Sequence, residues 1–308
     1  MAQDGRLSTQ APLFSIIVAV YNDWALLDGC LQSLTQEKEI PFEVIIVDDG
    51  SQEPAPEYIQ RRSDCYPLTI VRQDHAGISV ARNLGVQRSK GLVLIFVDAD
   101  SRVQVNCLTA LASAIGSFPE HSFFQLRLTG DCSGIIGRAE HLRLMALQGR
   151  LLEPNGFIRY LNTAGFAVRR AILDSQKGLF DPTALRGEDT LLLANLLQRG
   201  TPPLFVPHAT VQHTVPLSLI GCLRKDIRSA YLEGRTYDII ASKGVRIRMS
   251  NRERLRVLRS TWKVSAQDSI GRSAWFVLVA RQSLQRIISL IYHSFPIRTK
   301  SHREASST

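Results

Sequence analysis

The sequence predicts an α/β fold: an open, mostly parallel sheet covered by helices, followed by a helical, basic C-terminal extension. Two observations in the first hundred residues carry the sheet. Short β-branched apolar runs alternate with segments of helical spacing, and three of the four runs end in acids. The charge distribution carries the extension.

The runs come in order as LFSIIVAV (13–20), EVIIVD (43–48), LTIV (68–71) and GLVLIFVD (91–98), nearly continuous in hydrophobicity. That is the pattern of parallel strands covered on both faces. Between the first two, Leu26, Leu27, Cys30, Leu31 and Leu34 recur at helical spacing, with Asn22 or Asp23 available as N-cap. Ile78, Ala81, Arg82, Gly85 and Val86 repeat the spacing before the fourth run. The order is βαβαβ, which implies right-handed crossovers.

Farther on, 104–118 and 139–149 read as helices, and 162–168 as a strand after a loop holding Pro154 and Gly156. Residues 188–199 read as a helix with Leu192, Leu193, Leu196 and Leu197 inward, and 204–213 as an extended piece that Pro207 interrupts. From about 217 the chain reads as mostly helical, with Val277, Ala280, Leu284, Ile287, Ile288 and Ile291 forming one apolar stripe. The last residues, 298–308, read as frayed.

A length of 308 residues, 44% of them hydrophobic and 21% charged, supports a real core and excludes a disordered tail protein. The five cysteines, Cys30, Cys65, Cys107, Cys132 and Cys222, are odd in number and form no CxxC pair, which excludes a disulfide scaffold and suits a reducing compartment. No apolar run approaches the roughly 20 residues of a membrane span. The start, MAQDGRLSTQ, has one Arg and an Asp ahead of the first run, so that run reads as a buried strand and not as a signal peptide. The expected location is cytoplasmic, with a peripheral place at the cytoplasmic face of a membrane as its extension.

The net charge of +9 divides unevenly. Residues 1–216 hold 19 Lys and Arg against 22 Asp and Glu, whereas 217–308 hold 18 against 6. Within 243–263 eight cations face Glu253 alone.

In open parallel sheets, ligands bind beyond the carboxyl ends of the strands. Here those ends carry Tyr21-Asn22-Asp23, Asp48-Asp49-Gly50-Ser51 and Asp98-Ala99-Asp100-Ser101. Two carboxylates one residue apart after a buried strand need positive charge against them, which a magnesium or manganese ion on a diphosphate supplies. Alone, the same motif also reads as a solvated turn or a helix N-cap.

Together, SIIVAVYN (15–22), EVIIVDDGS (43–51), GISVARNLG (77–85), GLVLIFVDADS (91–101), GLFDP (178–182) and RGEDTLLLANLLQRG (186–200) resemble the family 2 glycosyltransferases in order and spacing. The resemblance covers about 13–215 and implies the GT-A fold, a Rossmann-like, mostly parallel sheet flanked by helices. It implies an inverting transfer from a nucleoside-diphosphate sugar, expected to be a uridine diphosphate sugar, to a hydroxyl acceptor, glycan or lipid-linked, in cell-surface glycan synthesis. The catalytic domain is expected over 1–216, with a nucleotide-sugar half at about 13–103 and an acceptor half at about 104–216.

The resemblance also implies roles. Asp49 resembles the acid that reads the base, with Asp48 bracing its turn, and Ala19, Tyr21 and Asn22 lie beside the nucleotide. Asp100 resembles the metal ligand on the diphosphate, and Asp98 a contact to ribose, sugar or metal; Ser101 stands where many relatives have another acid. Arg82 either braces these acids or touches phosphate. Asp189 resembles the catalytic base, with Glu188 beside it, although both are ordinary first-turn residues of a helix. His213 resembles a histidine near the metal. Asn162, Gly165 and Phe166 resemble the strand on the acceptor side. The expected cofactor is Mn2+ or Mg2+.

The basic extension, 243–291 above all, suits an anionic membrane surface; packing on the catalytic domain or a second subunit is the competing reading. Apart from Trp262 no aromatic residue stands among the cations of 243–263, so nucleic acid is not expected. A nucleotidyltransferase would share the βαβ opening, but YNDWALLDG is not a Gly-rich basic phosphate loop. A non-catalytic assembly factor would not need acids at 49, 100 and 189.

Overall fold

The computed structural model describes residues 12–174, 178–184, 186–214, 218–245, 247, 249–267 and 269–294. The start at 1–11 and the end at 298–308 lie outside these residues. The first half runs β1 (Phe14–Val20), α1 (Trp24–Leu34), β2 (Phe42–Asp48), a short α2 (Glu57–Gln60), β3 (Leu68–Arg72), α3 (Ile78–Arg88) and β4 (Val93–Phe96). Then follow β5 (Ser101–Val103), α4 (Cys107–Ser117), β6 (Phe123–Gly130), α5 (Ile135–Leu151), β7 (Phe166–Arg169), α6 (Glu188–Gln198) and β8 (Leu204–His213). The extension is α7 (Leu219–Ser242), α8 (Asn251–Val264) and α9 (Gly271–Ser294).

One mixed sheet runs β3-β2-β1-β4-β7-β6-β8-β5. Strands β1 to β4 pair in parallel, as their uninterrupted apolar runs require, and β7 turns antiparallel against β4 and β6. The core lies on both faces. Phe14, Ile16, Leu27 and Leu31 are among the buried residues of one face, and Ile17, Ile45, Phe96, Phe166 and Phe180 of the other.

Two strands, β6 and β7, differ from the sequence reading. Strand β6 breaks its apolar pattern with Gln125 and Arg127, so the sequence hid it. The buried Gln125 is satisfied by donating to Leu126 and Gly165 carbonyls and accepting from Asn162 N–H, which is what lets it sit in a sheet. The segment expected as strand 162–168 begins its strand only at Phe166, because Asn162 Oδ1 accepts from Ala164 N–H and caps a 3-10 turn over Thr163–Gly165. In β8, pairing with β6 jumps from Val206 to Thr210, so Pro207, which has no N–H to donate, sits in a bulge.

The last helix is rotated from the expected stripe. Ala280, Ile287 and Ile291 are exposed, whereas Ala274, Leu278, Arg281 and Gln285 share the inward face. The cause is ionic: Arg281 makes two hydrogen bonds to Asp226 of α7, at 2.6 and 3.0 Å, and Gln285 donates to the same carboxylate. Leu278 and Ala274 then pack on Ala139 and Leu142 of α5. The extension thus packs on the sheet-bearing part of the chain.

Gly91 shows how tightly the central strands β1 and β4 are set together at their start. A Cβ there would lie 2.6 Å from both Ser15 N and Ser15 Oγ, and that hydroxyl already accepts from Gly91 N–H and donates to Glu43. Gly91→Ala should therefore destabilise the fold by about 1–3 kcal/mol. Urea denaturation measures it, and an unchanged midpoint would contradict this packing.

Candidate active site

A cleft of about 520 Å³ opens beyond the strand ends. It is lined by Arg82 from α3, Asp98 and Asp100 after β4, Asn162 from the turn before β7, Glu188 and Asp189 from the start of α6, and His213 from the end of β8. Helices α5, α7 and α9 supply the opposite wall through residues such as Glu140, Lys225 and Arg281.

Arg82 is the hinge of this arrangement. Its buried guanidinium donates to Glu188 Oε1 at 2.5 Å and to Asp98 Oδ1 at 2.7 Å, and it lies over the Phe180 ring. Burial alone would weaken its hold on the proton, but Asp98 and Glu188 outweigh burial and push its pKa up. Both ends of the fork are committed to the two acids, so bracing is the role its geometry supports.

Asp100 and His213 form the second pair, Oδ2 to Nε2 at 3.3 Å. Burial works against the charged form of each, yet each moves toward charge because of the other: the carboxyl is lowered and the imidazole raised. Asp100 Oδ1 and His213 Nδ1 are buried and have no hydrogen-bond partner among the described residues. The backbone carbonyl of Asp100 accepts from Thr214 N–H and Oγ1–H, which fixes the loop.

An orphaned carboxylate oxygen beside an imidazole fits a divalent cation. Among the described residues no three His, Cys, Asp or Glu are grouped to hold a metal. Asp98 gives one oxygen to Arg82, and Asp100 with His213 is the pair that could hold such an ion. A magnesium- or manganese-type ion that keeps substrate phosphates and water in its shell needs no more.

Asp189 is the outlier in acidity. Burial first, then the neighbouring Glu188, push its pKa up to about 7, against the opposing effects of the Thr190 N–H bond and Arg82. The left-handed Gly187 (φ 78°) starts the helix and turns both acids toward the cleft.

Tyr21, Asn22 and Asp49, expected beside the nucleotide, cluster at the ends of β1 and β2, apart from the cleft lining, and Ala19 is partly buried in β1. Asn22 (φ 60°) accepts from Gln52 N–H and donates its own N–H to Ser51 Oγ. Tyr21 stacks on His75 with centroids 4.3 Å apart. Asp48 braces the turn through Ser51 N–H and Arg72. The buried Asp49 accepts from Gln73 Nε2, Ala76 N–H and Gly77 N–H, with His75 Nδ1 at 2.9 Å. Reading a base would require one of these donors to give way.

Two acceptor-side expectations are corrected. Phe166 is a core residue, fully buried and stacked with Phe96 and Phe123, because strand alternation turns it inward. Gly165 is buried against Leu128, 2.7 Å from where its Cβ would stand. Asn162, Thr163, Ala164 and Tyr160 line the cleft instead. Sequence reasoning also missed the ionic wall. Arg143 makes a two-fold bond with the buried Glu140, and this guanidinium, despite the cost of burial, pulls the Glu140 carboxyl down to about 2. The available signal was Glu140 and Arg143 at i,i+3 within a leucine-rich helix.

If Arg82 braces the site, Arg82→Met leaves the buried Glu188 and the one-third-exposed Asp98 without a counter-charge. The expected loss is about 3 kcal/mol, the low end for a broken buried pair because water reaches Asp98. Denaturation of the variant checks it; a loss below about 1 kcal/mol contradicts the assignment.

The sequence model of glycosyl transferase family 2 matches residues 15–175. An uncharacterized glycosyltransferase of Haemophilus influenzae is 42% identical over 89 residues, 29% of each chain. The succinoglycan biosynthesis protein ExoO of Rhizobium meliloti is 26% identical over 199 residues, 62% of this chain and 57% of that one. The matches span 29–33% of the length of the first three curated relatives. Among solved structures, a mannosyltransferase from Pyrobaculum calidifontis in complex with GDP-mannose and Mn2+ is similar over 94% of this chain and 89% of that one. Its TM-score is 0.63 at 14% identity. TarS 1–349 of Staphylococcus aureus in complex with UDP-GlcNAc follows at 0.55 and 16%, over 91% of each chain. At such identities the likeness is one of fold. The matched segment, the order of its strands and the shared architecture make the chain a member of glycosyl transferase family 2 with the GT-A fold.

Proposed function

We propose that the chain moves a sugar from a nucleoside-diphosphate donor, expected to be a uridine diphosphate sugar, to a hydroxyl of a glycan or lipid-linked acceptor in cell-surface glycan assembly. One observation carries the reading: carboxylates from after β4 and from the start of α6 meet in one cleft through a shared guanidinium. In this reading 1–216 is the catalytic domain, and the extension closes its acceptor side.

Asp100 and His213 would hold a manganese or magnesium ion. When bound, that ion neutralises the departing nucleoside diphosphate. Asp98 and Glu188, both hydrogen-bonded to Arg82, are held in place by its guanidinium. Tyr21, Asn22 and Asp49 border the nucleoside, and Asn162 orients the acceptor. Asp189 accepts the acceptor's hydroxyl proton at its carboxylate as that oxygen bonds to the anomeric carbon and the bond to the diphosphate breaks. One in-line displacement inverts the anomeric centre, and no protein nucleophile takes part. Among the described residues no helix is long and apolar enough to cross a membrane. The basic extension, 243–291, fits contact with the anionic cytoplasmic face of a membrane.

Asp189→Asn should keep donor affinity and lower kcat by about 10²–10⁴; a variant with near-native turnover moves the base elsewhere. The base works only when ionised, so wild-type kcat should fall as pH drops through about 7, tenfold per unit below it. A profile flat down to pH 5 contradicts the role. Asp100→Ala should remove the metal dependence of donor binding in calorimetric titration, and donor affinity indifferent to EDTA in the wild type would sink the metal ligand.

A further inference from the structure

A second cavity, of about 350 Å³, lies between α5 and α8. Leu142, Met145, Ala146, Val257 and Val264 supply apolar lining, and Arg150 and Arg256 supply charge. Only Val257 also lines the catalytic cleft, so the cavity backs onto that cleft without sharing its acids. Its volume falls within the roughly 300–1,000 Å³ of small-molecule sites.

Three observations say what fits it. Gly149 lines the cavity from within α5, and a Cβ added there would meet no atom within 4 Å. Glycine weakens a helix interior, and no close approach requires it here, so its effect is to keep the cavity open. Arg150 Nε is buried without a hydrogen-bond partner among the described residues, and its Nη2 reaches Glu253 only at 3.8 Å. Along α8, Arg252, Arg256, Arg259 and Lys263 recur at four-, three- and four-residue spacing, all exposed on one face that flanks the cavity. Exposed Leu255 and Trp262 stand beside them. Among the described residues, none of these four cations lies within 4 Å of a carboxylate. An apolar hole with a cationic edge matches an apolar chain that carries a negative head.

We propose that this cavity is a binding site for an anionic phospholipid, one chain in the hole and the phosphate between Arg150 and Arg256. The inference deepens the membrane contact proposed above and is independent of the transfer chemistry. It makes lipid recognition a matter of one pocket in addition to a diffuse charged face.

Calorimetric titration of the full chain with octyl, decyl and dodecyl phosphate, below their micellar concentrations, tests it. Affinity should rise by up to about fourfold per added methylene. Inorganic phosphate should bind at least tenfold more weakly than dodecyl phosphate, and decanol at least tenfold more weakly than decyl phosphate, which has the same chain length. Lysophosphatidylglycerol should bind at least as well as dodecyl phosphate, and lysophosphatidylcholine at least tenfold more weakly than lysophosphatidylglycerol. Gly149→Leu, which fills the cavity, should cost at least tenfold in dodecyl phosphate affinity with an unchanged unfolding midpoint and unchanged transfer to a soluble acceptor; Arg256→Gln should cost at least fivefold. Wild-type affinity in Gly149→Leu, indifference to chain length, or equal binding of inorganic phosphate or lysophosphatidylcholine overturns the site. Sedimentation with phosphatidylglycerol vesicles separates the two levels. Wild-type protein left in solution refutes the membrane contact, whereas equal sedimentation of wild type and Gly149→Leu together with equal dodecyl phosphate affinity refutes the pocket alone.

Discussion

A guanidinium sealed from water and shared by two carboxylates is the interaction on which this architecture turns. Arg82 could not be buried without partners, and its planar fork suits two acids approaching from different directions. Asp98 lies just past β4 and Glu188 opens α6, so one side chain of α3 joins three parts of the chain that are distant in sequence. Its satisfaction defines what is left over. With Asp98 and Glu188 paired to Arg82, Asp100 keeps an oxygen without a partner among the described residues beside His213, and Asp189 remains a buried acid of raised pKa. The cleft thus separates a place for positive charge from a place for a proton.

The C-terminal helices contribute to that separation. Glu140, Arg143, Asp226 and Arg281 pair among themselves across α5, α7 and α9 and wall the cleft, and Glu140 adds to the charge that raises the His213 imidazole. The extension has two characters. Its inner face is ionic and packed, and its outer face, along α8, is cationic and exposed.

Much of the first hundred residues was legible because a strand buried on both faces leaves an unbroken apolar run; β1 to β4 fall where those runs lie. Strand β6 was not, since Gln125 is buried through side-chain hydrogen bonds that no pattern of hydrophobicity announces. The three-residue β5 is too short for periodicity to mark. Asp98, Asp100, Glu188, Asp189 and His213 line one cleft, whereas Asp49, expected in the same crevice, stands apart from its lining. Phe166 was misassigned because proximity along the chain to Asn162 says nothing of which way a strand residue points. Asp226 and Arg281 stayed hidden because their pairing joins residues 55 positions apart.

The claim at the centre is that Asp100 and His213 form a half-built cation site that a donor diphosphate completes. Pulsed electron paramagnetic resonance of Mn2+ added to the protein with uridine diphosphate tests it most directly. The account predicts phosphorus couplings from the diphosphate together with nitrogen modulation from one imidazole, the latter absent in His213→Ala. Manganese that shows only the spectrum of the free nucleotide complex, with no imidazole nitrogen in the wild type, would contradict it.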